Sequence, residues 1–321
     1  MSTARGLLLA VLCSFGLALA QTPFPSKPIR LIVTSPPGGS NDILNRIVGA
    51  KLAELLAQPV LIDNRPGASG FVAAEMVAKS PPDGYTLLAA TEATLVANPL
   101  FFRRVPYDPQ RDFAPVTIAV EIGYVLLVHP SVPARSVEEL IALARTTPGR
   151  LNYASSGNGS AFHLGMELFK RMAGVDIVHV PFKGSALSVN AMLTGEVQIM
   201  LNGTPNGVPL AKSGKLRALA VAGARRSPLA PELPTIAESG LPGYEASSWY
   251  GVLAPAGTPR EIIARLNAEL VKALEQPEVR ASLLAEGAEP IGGTPEQFAA
   301  HISSEKERLG KLIREAKIRL E

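Results

Sequence analysis

The chain has 321 residues, of which 47% are hydrophobic and 5% aromatic. That length and apolar content exclude a disordered chain and suit a large core shared between two domains. Charges nearly cancel at a formal +3, and no dense Lys/Arg run occurs; with so few aromatic residues, a nucleic-acid-binding surface is excluded as well.

The N-terminus carries Arg5, an apolar run from Gly6 to Ala20, and a small-x-small end, Ala18-Leu19-Ala20. This is the pattern of a secretory signal cleaved before Gln21. The run is about 15 residues, short of the roughly 20 that a bilayer span needs. Cys13, the only cysteine, lies inside it. The mature chain is therefore expected to hold no disulfide, thiolate nucleophile or thiolate metal site.

Strand-like and helix-like runs then alternate. Residues 29–34 form a strand pattern, and 43–56 a helix with apolar residues near a period of 3.6. Strands are predicted at 59–64 and 86–91, with a helix at 71–79 stopped by Pro81-Pro82-Asp83-Gly84. This β-α-β-α-β order implies a parallel sheet covered by helices. A second unit follows, with strands at 124–129, 151–155, 177–182, 197–201 and 216–222. Ser136-Val137-Glu138-Glu139 is a capping box opening a helix to Arg145; further helices are expected at 160–172, 184–193 and 207–213. Residues 224–247 read as connector, and 248–255 as a returning strand. Thr258-Pro259-Arg260-Glu261 and Thr294-Pro295-Glu296-Gln297 each combine a capping box with Pro at the first helical position, predicting two C-terminal helices.

Enzymatic signatures are missing. There is no GxxxxGK[ST] loop, and Gly157-Asn158-Gly159 has Phe162 where a dinucleotide fingerprint needs glycine. Ser303-Ser304-Glu305-Lys306 matches S-x-x-K but lies within a helix without companion motifs. His129, His163, His179 and His301 do not fall at metal-ligand spacings. His179 alternates with apolar residues and reads as a satisfied core histidine; His163, in the first turn of a helix, is a candidate to face a cleft.

Two loops carry the remaining signal. "TSPPGGSND" (34–42) and "YASSGNGSAFH" (153–163) both run from strand through a Gly/Ser-rich turn into a helix. The second has no charged residue before its helix, and the charge of the first is Asp42. The first N–H groups of a helix lack intrahelical partners and carry roughly half a positive charge, so they bind anions without a cationic side chain. Taken alone, the first loop also reads as an ordinary tight turn. With the second loop in the other α/β unit, the pair is expected to face a cleft and hold a carboxylate. Neutral amides suit reversible capture and supply no proton carrier for catalysis.

The chain resembles the periplasmic solute receptors of tripartite tricarboxylate transporters, the Bug receptors. The matching pieces are "PPGGSND" (36–42), "NRPGASG" (64–70), "PPDGYTLL" (81–88), "LNYASSGNGS" (151–160), "HVPFKG" (179–184) and "SWYGVLAPAGTP" (248–259), in the family's order. The resemblance implies an α/β type II periplasmic-binding-protein fold, with two lobes and a ligand cleft between them. The expected division is a signal peptide at 1–20, lobe 1 at 21–123 and 249–321, and lobe 2 at 124–248. It implies a periplasmic receptor, not an enzyme, for a small organic acid, with transmembrane transporter subunits as partners, no cofactor, no metal and a monomeric state. Carried over by motif, the ligand residues are Gly38, Gly39, Ser40, Asn41 and Asp42 from the first loop, and Ser156, Gly157, Asn158, Gly159, Ser160 and His163 from the second. Phe182, Lys183 and Gly184 form a third loop, and Thr91, Glu92 and Asn202 lie at strand ends facing the cleft. The family often has an aromatic residue at the position of Ser35, a glycine at that of Ser69 and an acid near that of Asn202. Glu92 is expected either to meet a donor or cationic group of the ligand or to point into solvent. Lys183 is a cleft charge or a solvated lysine, and Trp249 walls the cleft or packs the hinge. A ligand-presenting accessory of a sensory system would use the same trap, and an enzyme acting on a small organic acid is the remote alternative.

Overall fold

The computed structural model describes residues 24–67, 70–182 and 184–315. The secretory segment, Ser69 and Lys183 lie outside the described residues.

Strand β1 (Ile29–Val33) leads into helix α1 (Ser40–Leu56), then β2 (Val60–Asn64), α2 (Phe71–Ala78) and β3 (Thr86–Thr91). β1 pairs in parallel with both β2 and β3. Side-chain alternation along β1 explains why helices cover both faces. Ile29, Leu31 and Val33 pack with Leu44, Val48 and Leu52 of α1, while Ile32 packs with Ala73, Ala74 and Val77 of α2. A π-helical turn (Ala93–Ala97) and the short α3 (Asn98–Phe101) follow β3.

The next strand, β4 (Phe113–Val128), holds both halves of the molecule together. Its first part pairs antiparallel with β9 (Ser247–Pro255) as far as Gly123↔Ser247, and with β10 (Ala288–Pro290). From Tyr124 onward it pairs instead with β7 (Ile199–Gly203), and from Val125 with β8 (Arg217–Val221). The strand is longer than the predicted 124–129 because Pro115 broke the sequence pattern. The fold tolerates this proline at a register shift between Pro115 and Thr117.

The second half contains α4 (Val137–Thr146), β5 (Asn152–Ser155), α5 (Ala161–Ala173), β6 (Val178–Pro181), α6 (Ser185–Thr194) and α7 (Thr204–Lys212). β5 pairs in parallel with β6 and β7. Tyr124, Leu126 and Val128 pack on Val137 and Leu140 of α4 and Met166 and Phe169 of α5, while Val125 and Leu127 pack on Ala191 and Met192 of α6. The sheet order β2-β1-β3-β9-β4-β7-β5-β6 thus joins two α/β lobes through one strand.

After β9 the chain returns to the first lobe as α8 (Arg260–Glu275), α9 (Pro277–Ala285) and α10 (Pro295–Glu315). The capping box at α10 forms reciprocally: Thr294 N–H donates to Gln297 Oε1, and Gln297 N–H to Thr294 Oγ1. The box expected at α8 does not form. The helix begins one residue later, after Pro259, and the Thr258 hydroxyl donates back to Pro255 O. α10 packs Phe298, Ile302, Leu309 and Leu312 against Leu95 and Trp249. Phe298 meets the Trp249 ring edge-on at 5.6 Å, and its ring lies where a side chain on Gly251 would go. Gly251→Ala is therefore expected to lower the unfolding free energy by about 1–3 kcal/mol, read as a reduced urea midpoint at unchanged slope. A wild-type midpoint would show that Phe298 yields and does not clamp α10 to β9.

Candidate functional site

The first loop is built by its own helix. α1 starts at Ser40, earlier than its apolar period, with Gly39 as an extended N-cap that offers no side chain. The loop closes through Gly39 N–H to Pro36 O at 3.2 Å, with Gly38 at φ 79°, a conformation glycine adopts without strain. The Asn41 and Asp42 side chains turn inward. Asn41 Nδ2 donates to Thr34 Oγ1 and Ala89 O, and its Oδ1 accepts from Asn45. Asp42 Oδ2 accepts from Gly38 N–H at 2.8 Å and Arg46 Nε at 3.0 Å; Oδ1 accepts from Asn64 Nδ2 at 2.9 Å. Asn64 Nδ2 also donates to Ser35 O, tying the end of β2 to the loop. The Ser40, Asn41 and Asp42 amides make no hydrogen bond among the described residues.

The second loop is built on histidines. Ser155, fully buried, accepts from Gly157 N–H at 3.1 Å, donates to Gly157 O, and lies 2.7 Å from His179 Nε2. Gly159 N–H donates to His163 Nδ1 at 3.0 Å, leaving the proton of that ring on Nε2. The two imidazoles stack at 4.0 Å, and Tyr153 stacks on His179 at 4.8 Å. Burial lowers both histidines, His163 below its ordinary value and His179, with His163 beside it, to about 4. Both are therefore neutral at neutral pH. Gly157 and Gly159 have φ of 131° and 73°, so the loop requires glycine at both. Ser160 caps α5 by accepting from His163 N–H, while the Ala161 and Phe162 amides make no hydrogen bond among the described residues.

The other candidates lie around these loops. Phe182 N–H donates to Ser155 O, which sets the third loop against the second; Gly184 precedes α6 at φ 107°. Thr91 Oγ1 accepts from Thr94 N–H, and Gly70 nests against Thr94 and Thr34. Gly159 sits against the Phe101 ring, and Leu164 of α5 joins the cluster of Leu95, Phe101 and Trp249. The segment from Thr91 to Phe101 therefore touches the loops of both lobes. Asn202 is 2% exposed, with Oδ1 accepting from Gly203 N–H and Nδ2 without a partner. Trp249 is buried in the packing between β9 and α10.

Glu92 is buried, not solvated, at 7% exposure. Its carboxyl makes no hydrogen bond among the described residues and lines a cavity with Tyr124, Ala161, Gly165, Ser247 and Arg308. Burial, reinforced by Glu305 and opposed by Arg308, raises it to about 7. The sequence offered no sign of Arg308 or of the Asp42–Arg46–Asn64 link, since these partners come from other turns and strands. The Ser155–His179 bond resembles a nucleophile–base pair. The hydroxyl is sealed from solvent and already bonded to the loop backbone, and the depressed histidine is a weak base.

The family profile described as "Tripartite tricarboxylate transporter family receptor" matches residues 44–318. Protein BugT of Bordetella pertussis is 37% identical over 92% of this chain and 91% of its own length. The structure of R. palustris Rpa4515 with adipate is 42% identical, with a TM-score of 0.79, covering 92% of this chain and 99% of that one. MatC from Rhodopseudomonas palustris with bound malate is 34% identical, with a TM-score of 0.74, covering 90% and 100%.

Burial alone would raise the Asp42 carboxyl, but the hydrogen bonds from Arg46, Gly38 and Asn64 outweigh it and hold it below the ordinary value. A depressed folded pKa adds stability above the unfolded value of 3.8 that is lost as pH falls below it. Asp42→Ala, which strands the Gly38 and Asn64 donors, is expected to cost about 1–3 kcal/mol at pH 7. The gap from wild type, measured by urea unfolding, should narrow below pH ~4; a gap unchanged down to pH ~2 would show that the charge is not what holds the loop.

Proposed function

The chain belongs to the receptor family of tripartite tricarboxylate transporters, and on that footing we propose that it is a periplasmic receptor that captures a small carboxylate-bearing solute and delivers it to the membrane subunits of such a transporter. The observation that carries the reading is the pair of helix starts. Ser40–Asp42 on one lobe and Ala161–Phe162 on the other present unpaired amides behind glycine-shaped loops, the Asp42 charge being matched by Arg46. A carboxylate accepts several such bonds, and each is charge-assisted. The adipate and malate named with two structural relatives are of this chemical class.

In this reading the lobes are residues 21–123 with 249–321, and residues 124–248. The partner change of β4 after Gly123 and the start of β9 at Ser247 support that division. Gly38, Gly39, Ser156, Gly157, Asn158 and Gly159 shape the two loops; Asn41, Asp42, Ser160 and His163 position them through their side chains. Asn202 Nδ2 offers a further donor on the second lobe. Thr91, Phe182, Lys183 and Gly184 border the cleft. Glu92 faces the seam near Arg308 and is assigned a role other than meeting a cationic ligand group. The receptor acts as a monomer and turns nothing over. Solute bridging the amides favours the closed lobes, the form that the membrane subunits read.

The reading is tested by thermal unfolding of residues 21–321, stripped of ligand by unfolding and refolding, against di- and tricarboxylates, amino acids and nicotinate. A ligand at about 100 times its Kd adds roughly 2.7 kcal/mol, a shift of a few degrees. The shift is expected with one class of acid, with the compound recovered unchanged; turnover, or no shift with any acid, would sink the receptor reading. Ser40→Pro and Ala161→Pro test the amides directly. Each deletes one N–H at the first helical position, where proline is well accepted. Stability is expected to hold while affinity falls roughly ten- to hundredfold. Unchanged affinity in both variants would remove the amides from the site.

A further inference from the structure

Glu92 lies where the two lobes meet. It follows β3 in the first lobe, and the wall opposite is Ala161, Leu164 and Gly165 of α5, from the second. The other walls include the lobe-crossing residues Tyr124 and Ser247, and Arg308, Leu309 and Leu312 of α10. The charged and titratable groups around it are otherwise engaged. Arg308 donates through Nε and Nη2 to both oxygens of Glu305 at 2.8 and 2.7 Å, and through Nη1 to Glu245 O. Tyr124 lines the same cavity and makes no hydrogen bond to Glu92 among the described residues. His301 meets the Trp249 ring edge-on at 5.0 Å and lines a neighbouring cavity with Glu121, Glu245, Glu305 and Arg308. An ionised Glu92 would thus be a buried charge without a hydrogen-bond donor, whereas the neutral acid is tolerated there.

The cavity exists because α5 is docked. Leu164 is buried among Leu95, Phe101 and Trp249 of the other lobe, and Gly159 rests on Phe101. Separating the lobes withdraws that wall and lets water reach the carboxyl, which then ionises as an ordinary glutamate does.

We propose that Glu92 is a proton-binding site coupled to lobe closure, so that capture of a carboxylate takes up a proton. The inference rests on the receptor reading above. The step balances as open receptor with Glu92 carboxylate, plus solute anion, plus one proton, giving the closed complex with Glu92 as the neutral acid. The uptake also removes a like charge from beside Ala161, whose amide receives the anion. The carboxyl pushed up to about 7 by burial agrees with this coupling.

The test is isothermal titration of the ligand-stripped protein with adipate, malate, glutamate and nicotinate, at pH 6.5 and 8, in PIPES and in imidazole. The carboxylates of these probes stay ionised across that range. The dependence of heat on buffer ionisation enthalpy counts protons. About 0.75 proton is expected per bound acid at pH 6.5 and about 0.1 at pH 8, with affinity weakening about threefold between pH 6.5 and 7.5. Glu92→Gln should bind with no buffer dependence and a flat affinity. Binding by wild type with equal heats in both buffers overturns the linkage, as does uptake that survives in Glu92→Gln, which would place the proton elsewhere, for example on His163. No heat with any of the four acids in folded protein overturns the receptor reading itself, and the linkage with it.

Discussion

The change of partners along β4 is the constraint on which the rest depends. A strand has two hydrogen-bonding edges, and this one fills both twice over. β9 and β10 take its first part, β7 and β8 its second. The two lobes are consequently one continuous backbone ladder at the hinge, while their covering helices form separate cores on either side. Besides that ladder, the lobes meet where Leu164 of α5 packs among Leu95, Phe101 and Trp249. The ladder also fixes where the functional loops lie. β1 and β5 are parallel strands in their own lobes, and the loops that leave their carboxyl ends, each opening a helix, are the places where an open α/β sheet binds ligands.

Inside those loops, polar side chains hold backbone, and the amides of Ser40–Asp42 and Ala161–Phe162 are left without a partner among the described residues. Asp42 illustrates the division. A carboxylate in the first turn of α1 complements the helix dipole but competes with an arriving anion. Its oxygens are spent on Gly38 N–H, Asn64 and Arg46, so its charge is matched on the spot and its geometry is passed to the loop. The histidines serve the second loop in the same manner. His163 takes the Gly159 amide, His179 holds Ser155, and neutral imidazoles stack where charged ones would repel.

Much of this was legible in the sequence, for local reasons. Apolar periodicity located most helices, and the turn residues marked both loops. The Ser136 and Thr294 boxes signalled real helix starts because they act within one turn of chain. The Thr258 box misled by one residue, since the Thr258 hydroxyl found Pro255 O in the preceding turn. The first part of β4 was hidden by Pro115, whose missing N–H is harmless only because of a register shift that pairing with β9 creates. Nothing local marked the environment of Glu92. Whether that side chain meets solvent, solute or Arg308 is decided by α5 from the other lobe and by α10 from the far end of the chain. Asn41 and Asp42 were legible as loop residues, but their inward turn depends on Thr34, Ala89 and Asn64, which the sheet brings into place.

Two arginines tied to these sites are matched internally. Arg46 is bound to Asp42 and Arg308 to Glu305, so each supplies rigidity where it might have supplied attraction. An anion held by dipoles and amides loses its grip steeply as the loops move apart, because those bonds act over short range and water competes for them. An anion held by an arginine would remain paired through a long-range charge even as the lobes part. A site that must first hold a solute and then surrender it is better served by the first arrangement. In the proposed receptor, hinge geometry, loop glycines and internally matched charges serve one end, the control of affinity by lobe position.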